Sequence, residues 1–231
     1  MKNLNKVKTI FFDLDHTLWD FDRNSSLAFK HIFNIYDFPF SHSEFLKWYV
    51  PINHKYWRDY SENKISKEKL RIRSLQKTFN CLNFNYKAEY INEISNEYIK
   101  TLPTKTFLFE GVIDLLEKLK PIYDLHIISN GFEDVQYKKM KLSGLLPFFD
   151  KIITSENANS KKPDSKIFNY ALRLTNENPQ NCLMIGDNLI ADILGAINVG
   201  MNAIHYNSNN ESIHYKCPIV SSYKDLDKLL I

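Results

Sequence analysis

Past Leu102-Pro103 the chain alternates short strand-forming runs with amphipathic helical stretches, and no other feature restricts the fold as much. Strands are expected at Leu125 to Ser129, Lys151 to Thr154, Cys182 to Ile185 and Ala203 to Tyr206. Helices are expected between them, at about Gly111 to Lys120, Phe132 to Ser143, Ser165 to Leu174 and Leu189 to Val199. Strands joined through helices run parallel, and a parallel sheet needs helices over both faces. Val7 to Phe12 supplies a further buried strand. The expected class is therefore α/β, with a doubly wound, Rossmann-like parallel sheet.

Between the first strand and Leu102 the pattern differs. All six glycines lie beyond residue 110, whereas all three tryptophans lie between residues 19 and 57. From Ser25 to about Lys100 the apolar spacing is helical throughout. Ser41 and Glu44 have the spacing of a capping box before Phe45, Trp48, Tyr49, Ile52 and Tyr56, and Pro51 should interrupt or kink that helix. Ser66 is placed to cap a helix carrying Leu70 and Phe79, and Ile91, Ile94 and Tyr98 mark another. The expected organisation is a core of residues 1–17 and 102–231 with an all-helical domain, residues 18–101, inserted into it.

At 231 residues and 44% hydrophobic, the chain can bury a sizeable core. A net charge of +3 is too mild to make nucleic acid or an anionic membrane the main partner, but leaves a small anionic ligand open. The first ten residues lack the apolar stretch of a secretory signal, and no run approaches the ~20 apolar residues of a membrane span, so a cytoplasmic location is expected. Cys81, Cys182 and Cys217 are odd in number and widely spaced, which points to reduced thiols.

Four strand ends carry the chemistry. The first strand runs into Asp13, Asp15 and Thr17 at alternate positions, which along an extended chain point the same way. Alone, this stretch is equally an Asp-rich turn. The second strand ends in Ser129-Asn130-Gly131, a hydroxyl followed by a flexible turn and a helix start whose N–H groups suit a phosphoryl group. Lys162 sits in Ser160-Lys161-Lys162-Pro163-Asp164, and the fourth strand ends in Gly186-Asp187-Asn188, with Asp192 five residues past Asp187.

Together these stretches resemble the four motifs of the haloacid dehalogenase superfamily, a large group of aspartate-nucleophile hydrolases, in order and over essentially the whole chain. The inserted domain is similar to the helical C1 cap of that superfamily. In phosphatases of this kind an aspartate stands two residues after the nucleophile, as Asp15 does, and in dehalogenases it does not. Asp13-Leu14-Asp15-His16-Thr17-Leu18-Trp19, Asn53 with Trp57 and Tyr60, Asn130-Gly131 followed by Gln136, and Ser155-Glu156 before Lys162-Pro163 resemble the pyrimidine 5'-nucleotidase subgroup, the house-cleaning nucleotidases. His16 stands where many members have glycine, and Asn188 where a small or acidic residue is common.

The resemblance implies a Mg2+-dependent phosphomonoesterase that forms an aspartyl-phosphate. Asp13 would be the nucleophile and Asp15 the acid and base. Asp13, Asp187 and the backbone carbonyl of Asp15 would hold the metal, with Asp192 and Thr17 behind them. Ser129, the backbone at Asn130 and Lys162 would face the phosphoryl oxygens. A small phosphorylated metabolite, foremost a nucleotide, would be the partner, and the protein a monomer or homodimer. Trp19, Phe21, Asn53 and Trp57 are candidates for contacting a base, although side chains of this kind at helical spacing are more often simply core. The alternatives are a phosphatase of sugar phosphates, a 2-haloacid dehalogenase and a non-catalytic binding protein.

Overall fold

The computed structural model describes residues 4–231, in two compact units. One comprises the chain up to Phe21 together with Thr106–Ile231, the other Asp22–Lys105. In chain order the elements are β1 (Thr9–Phe12), α1 (Phe21–Ile35), α2 (His42–Ser61), α3 (Lys67–Cys81), α4 (Ala88–Thr101), α5 (Val112–Leu119), β2 (Asp124–Ser129) and α6 (Glu133–Leu142). They continue with β3 (Lys151–Thr154), α7 (Ser165–Thr175), β4 (Cys182–Gly186), α8 (Gly195–Asn198), β5 (Asn202–Tyr206), β6 (Ile219–Val220) and α9 (Tyr223–Leu230).

The first unit is built on one parallel sheet in the order β3-β2-β1-β4-β5-β6. All four residues of β1 are buried, as the position between β2 and β4 demands. The strand order reverses direction at β1, so the crevice past the carboxyl ends of β1 and β4 is a topological switch point, where open α/β sheets bind ligands. Phe12 pairs with Ile185, and Asp13 N–H extends the ladder by donating to Ile185 C=O at 2.9 Å. Asp13 and Asp187 consequently leave adjacent strands side by side. Phe11, Ile128, Ile153, Phe168 and Met184 fill part of the core behind them.

Three features depart from the sequence expectations. The segment expected as one helix from Leu189 to Val199 begins as a π-helical turn, Leu189–Leu194, and only then becomes α8. Such wide turns recur at functional sites. The strand β6 was not expected, since two residues carry no periodicity to read, and neither was the eight-residue helix α9. Pro51 does not interrupt α2, which runs 20 residues through it. Both Pro51 and Lys47, whose carbonyl loses its usual donor, are exposed, so water can satisfy that oxygen.

The second unit is all-helical. Ser41 Oγ accepts from Glu44 N–H at 3.2 Å and Glu44 Oε2 accepts from Ser41 N–H at 2.9 Å, completing the capping box. Its core is aromatic: Phe29 packs on Phe45, Tyr49 and Tyr98 with ring centroids 4.4–4.7 Å apart. Among the described residues no helix is long and apolar enough to cross a membrane.

Candidate active site

The chain stops being extended at Phe12. His16 takes a left-handed conformation with φ 60°, and Leu18 and Trp19 N–H both donate to Leu14 C=O, at 2.9 and 2.8 Å. Left-handed φ favours glycine but admits histidine, so a position where glycine is common tolerates His16. The turn buries Leu14 and Leu18 and sends the polar side chains apart. Thus Asp13, Asp15 and Thr17 do not share one direction, as an extended chain would have them; each meets a different partner.

Asp13 is buried, and its Oδ1 accepts from Lys162 Nζ at 2.5 Å. The same ammonium lies 2.6 Å from Asp192 Oδ1 and donates to Ile128 C=O at 2.7 Å. Lys162 is held in turn by Asn130, whose amide accepts from Lys162 N–H at 2.8 Å and donates to Lys162 C=O at 3.0 Å. The side chain of Asn130 therefore serves the lysine loop. Asp13, Asp187 and Asp192 each offer an oxygen within 4.8 Å of the others. Thr17 Oγ1 donates to Asp187 Oδ1 at 3.3 Å rather than to Asp13, and Asn209 donates to Asp187 Oδ2 at 3.0 Å.

Burial makes this crowding expensive for charge. It pushes Asp13 up to about 7, with Asp192 and Asp15 adding to the rise and Lys162 opposing it. Asp187 is raised well above the usual carboxylate range by burial first, then by Asp192 and Asp13. Burial alone would lower Lys162, but Asp13 and Asp192 outweigh it and raise its pKa. An all-oxygen set of three buried carboxylates, neutralised in part by Lys162, suits a hard divalent cation.

Asp192 reaches this cluster from the π-helical turn. Asn188 caps that turn, its Oδ1 accepting from Ile190 and Ala191 N–H at 3.0 and 2.8 Å, while Asn188 N–H donates to Asp192 Oδ2 at 3.0 Å. The residue that is unusual for this position is therefore the cap that sets the turn. On the other side Ser129 Oγ accepts from Gly131 N–H at 3.1 Å and from Gln136 Nε2 at 2.7 Å.

Sequence reasoning assigned no role to two groups. Lys139, buried on α6, donates to Asp15 Oδ1 at 2.6 Å, and Gln136, one turn earlier, donates to Asp15 Oδ2 at 2.9 Å. Its ammonium lies 4.3 Å from the Trp19 ring centroid and 5.2 Å from that of Phe21, so these two candidate base contacts face a lysine. The second group is a histidine pair. His205 Nε2–H donates to Asp187 C=O at 2.7 Å, leaving Nδ1 to accept from His214 Nε2 at 3.0 Å, while His214 Nδ1 accepts from Lys216 N–H at 3.2 Å. Register could have found His205, which stands opposite Gly186 across the β4–β5 ladder.

Two further candidates, Asn53 and Trp57, lie in the helical unit. Asn53 is buried and its Oδ1 accepts from Tyr49 OH at 3.4 Å. Trp57 packs edge-on to Tyr60 with centroids 5.7 Å apart.

Residues 10–206 match the family model of haloacid dehalogenase-like hydrolases. The chain belongs to that family. The pyrimidine 5'-nucleotidase YjjG of Escherichia coli (strain K12) is 32% identical over 228 residues, covering 96% of this chain and 96% of the relative. A glyceraldehyde 3-phosphate phosphatase of Methanothermobacter thermautotrophicus is 30% identical over 213 residues, covering 87% and 86%. The crystal structure of the HAD-hydrolase YfnB from Bacillus subtilis bound to magnesium is 28% identical with a TM-score of 0.87, covering 97% of this chain and 98% of that one. In this haloacid dehalogenase-like hydrolase the helical unit is the cap.

Proposed function

We propose that the protein is a magnesium-dependent phosphomonoesterase that works through an aspartyl-phosphate, with nucleoside 5'-monophosphates, pyrimidine ones foremost, as its substrates. The observation that carries this reading is the placement of buried Asp13 at the end of the central strand, in contact with Lys162 and within 4.8 Å of Asp187 and Asp192. Such esters hydrolyse so slowly unaided that nucleophile, acid and charge stabilisation must act together. Asp13 attacks phosphorus in line, so the ester bond breaks as an aspartyl-phosphate forms. Asp15 gives a proton to the departing ester oxygen and then takes one from the water that cleaves the intermediate. Lys162, Ser129 and the backbone at Asn130 meet the negative charge spread over the phosphoryl oxygens.

Asp13, Asp187 and the Asp15 backbone carbonyl would hold magnesium, with Asp192 and Thr17 orienting them. Bound there, the ion offsets negative charge on the phosphoryl group. Trp19, Phe21, Asn53 and Trp57 remain the proposed determinants of the base, and the similarity to YjjG supports a pyrimidine nucleotide as the substrate. A phosphatase of sugar phosphates is the second reading, supported by the glyceraldehyde 3-phosphate phosphatase at nearly the same identity. Asp15 speaks against halide displacement, which needs no proton for its leaving group.

A screen of UMP, dUMP, TMP, AMP and sugar phosphates with magnesium tests the assignment. Preference for pyrimidine monophosphates is expected. Preference for sugar phosphates moves the substrate to the second reading, and halide release from 2-haloacids without phosphate release overturns the reaction class.

A further inference from the structure

We propose that Lys139 is a positioning residue for the reaction, fixing the Asp15 carboxylate in the orientation from which it meets the leaving oxygen; the inference rests on the phosphomonoesterase reading above. Asp15 projects from a turn, where side-chain freedom would ordinarily be wide. Both of its oxygens are instead taken by donors on one face of α6: Lys139 at 2.6 Å and Gln136, three residues earlier, at 2.9 Å. Two donors on two oxygens fix the carboxylate's plane as well as its position.

The clamp is itself backed. Lys139 is as buried as Lys162, and its ammonium lies over the ring of Trp19 and beside that of Phe21. A buried ammonium is costly unless compensated, and here a carboxylate and an aromatic face supply the compensation. Gln136 is placed by a second bond, to Ser129 Oγ at 2.7 Å, and by the missing side chain of Gly131, where a Cβ would stand 2.4 Å from the Gln136 amide. Trp19 and Phe21 thus support the acid through Lys139, a role distinct from contact with a base. Burial draws the pKa of Lys139 down and the Asp15 charge opposes that, in keeping with a pair whose members depend on each other.

A misplaced acid matters most when the departing oxygen is a poor leaving group, because a nitrophenolate departs with little need of a proton. The test is kcat/KM, with magnesium, for an alkyl phosphate and for p-nitrophenyl phosphate in the full-length protein. Lys139→Met, which keeps an apolar chain between the two rings, should lower both values, the alkyl ester by roughly 10- to 100-fold more. Lys139→Arg, retaining a cationic donor, should recover much of that selectivity, and Asp15→Asn should show the same selective loss. Gln136→Leu, which removes the donor to the other oxygen, gives an independent selective loss should Lys139→Met not fold. Equal losses on both esters in the Lys139 and Gln136 variants, with selectivity retained in Asp15→Asn, would overturn the positioning role while sparing the phosphatase reading. Wild-type protein that cleaves neither ester removes that reading, and the inference falls with it.

Discussion

Asp192 reaches Lys162 across a strand end that has no room for a side chain. A Cβ at residue 186 would lie 2.4 Å from Asp192 Oδ2 and 2.6 Å from its Cβ, too close for a rotamer change alone to relieve. Gly186→Ala should therefore push Asp192 off the ammonium it holds at 2.6 Å and slacken the grip on Lys162. Overpacking of this kind costs ~1–3 kcal/mol in stability. The accompanying fall in kcat/KM should exceed about tenfold, read by steady-state kinetics beside a thermal melt. Wild-type kinetics in Gly186→Ala would show that Asp192 does not orient Lys162. Asp13→Asn is the sharper change. An amide is a poor nucleophile, so turnover should fall by roughly a thousandfold or more while far-UV circular dichroism stays that of the folded protein.

The π-helical turn and α6 show what sequence could reveal and what it could not. Strands β2 to β5 were readable because each is an apolar run bounded by polar turns, and the α2 start because Ser41 and Glu44 stand at capping-box spacing. The acids and Lys162 were readable because they sit at strand ends. Lys139 was hidden in the run Lys138-Lys139-Met140-Lys141, which reads as a solvated face, and nothing local says that its ammonium crosses to a residue 124 positions away. His205 was hidden for a similar reason, since only the β4–β5 register brings it to the Asp187 carbonyl. Nor does a 3.6-residue period reveal the wide turn that aims Asp192. That turn begins at the Asn188 cap, so Asn188→Ala should cost about 1 kcal/mol. Because Asn188 holds Asp192 through its backbone N–H, which alanine keeps, kcat should fall only a few-fold. Melting temperature and kcat together check this, and a loss as large as that of Gly186→Ala would mean that the cap does more than start the turn.

The core's stability should register the acids that its fold forces together. Burial raises Asp13 from 3.8 to about 7, and moves Asp187 the same way. Between those two values the folded protein binds the proton and the unfolded chain does not. The contribution of Asp13 to stability is thus fully present below about pH 3.8 and is lost as pH rises through about 7. In EDTA-treated protein the melting temperature should accordingly decline between pH 5.5 and pH 8. A divalent cation competes with those protons for the same oxygens, so magnesium should bind more tightly, and stabilise more, across the same window. At a hundredfold excess over Kd the gain is about 2.7 kcal/mol, or roughly 5–10 °C for a chain of this size. The shift caused by magnesium should be small at pH 5.5 and largest near pH 8, and Asp13→Asn, which carries no proton to displace, should flatten that dependence. A magnesium shift independent of pH in the wild type would place the ion away from Asp13 and Asp187, and with it the chemistry assigned to the end of β1.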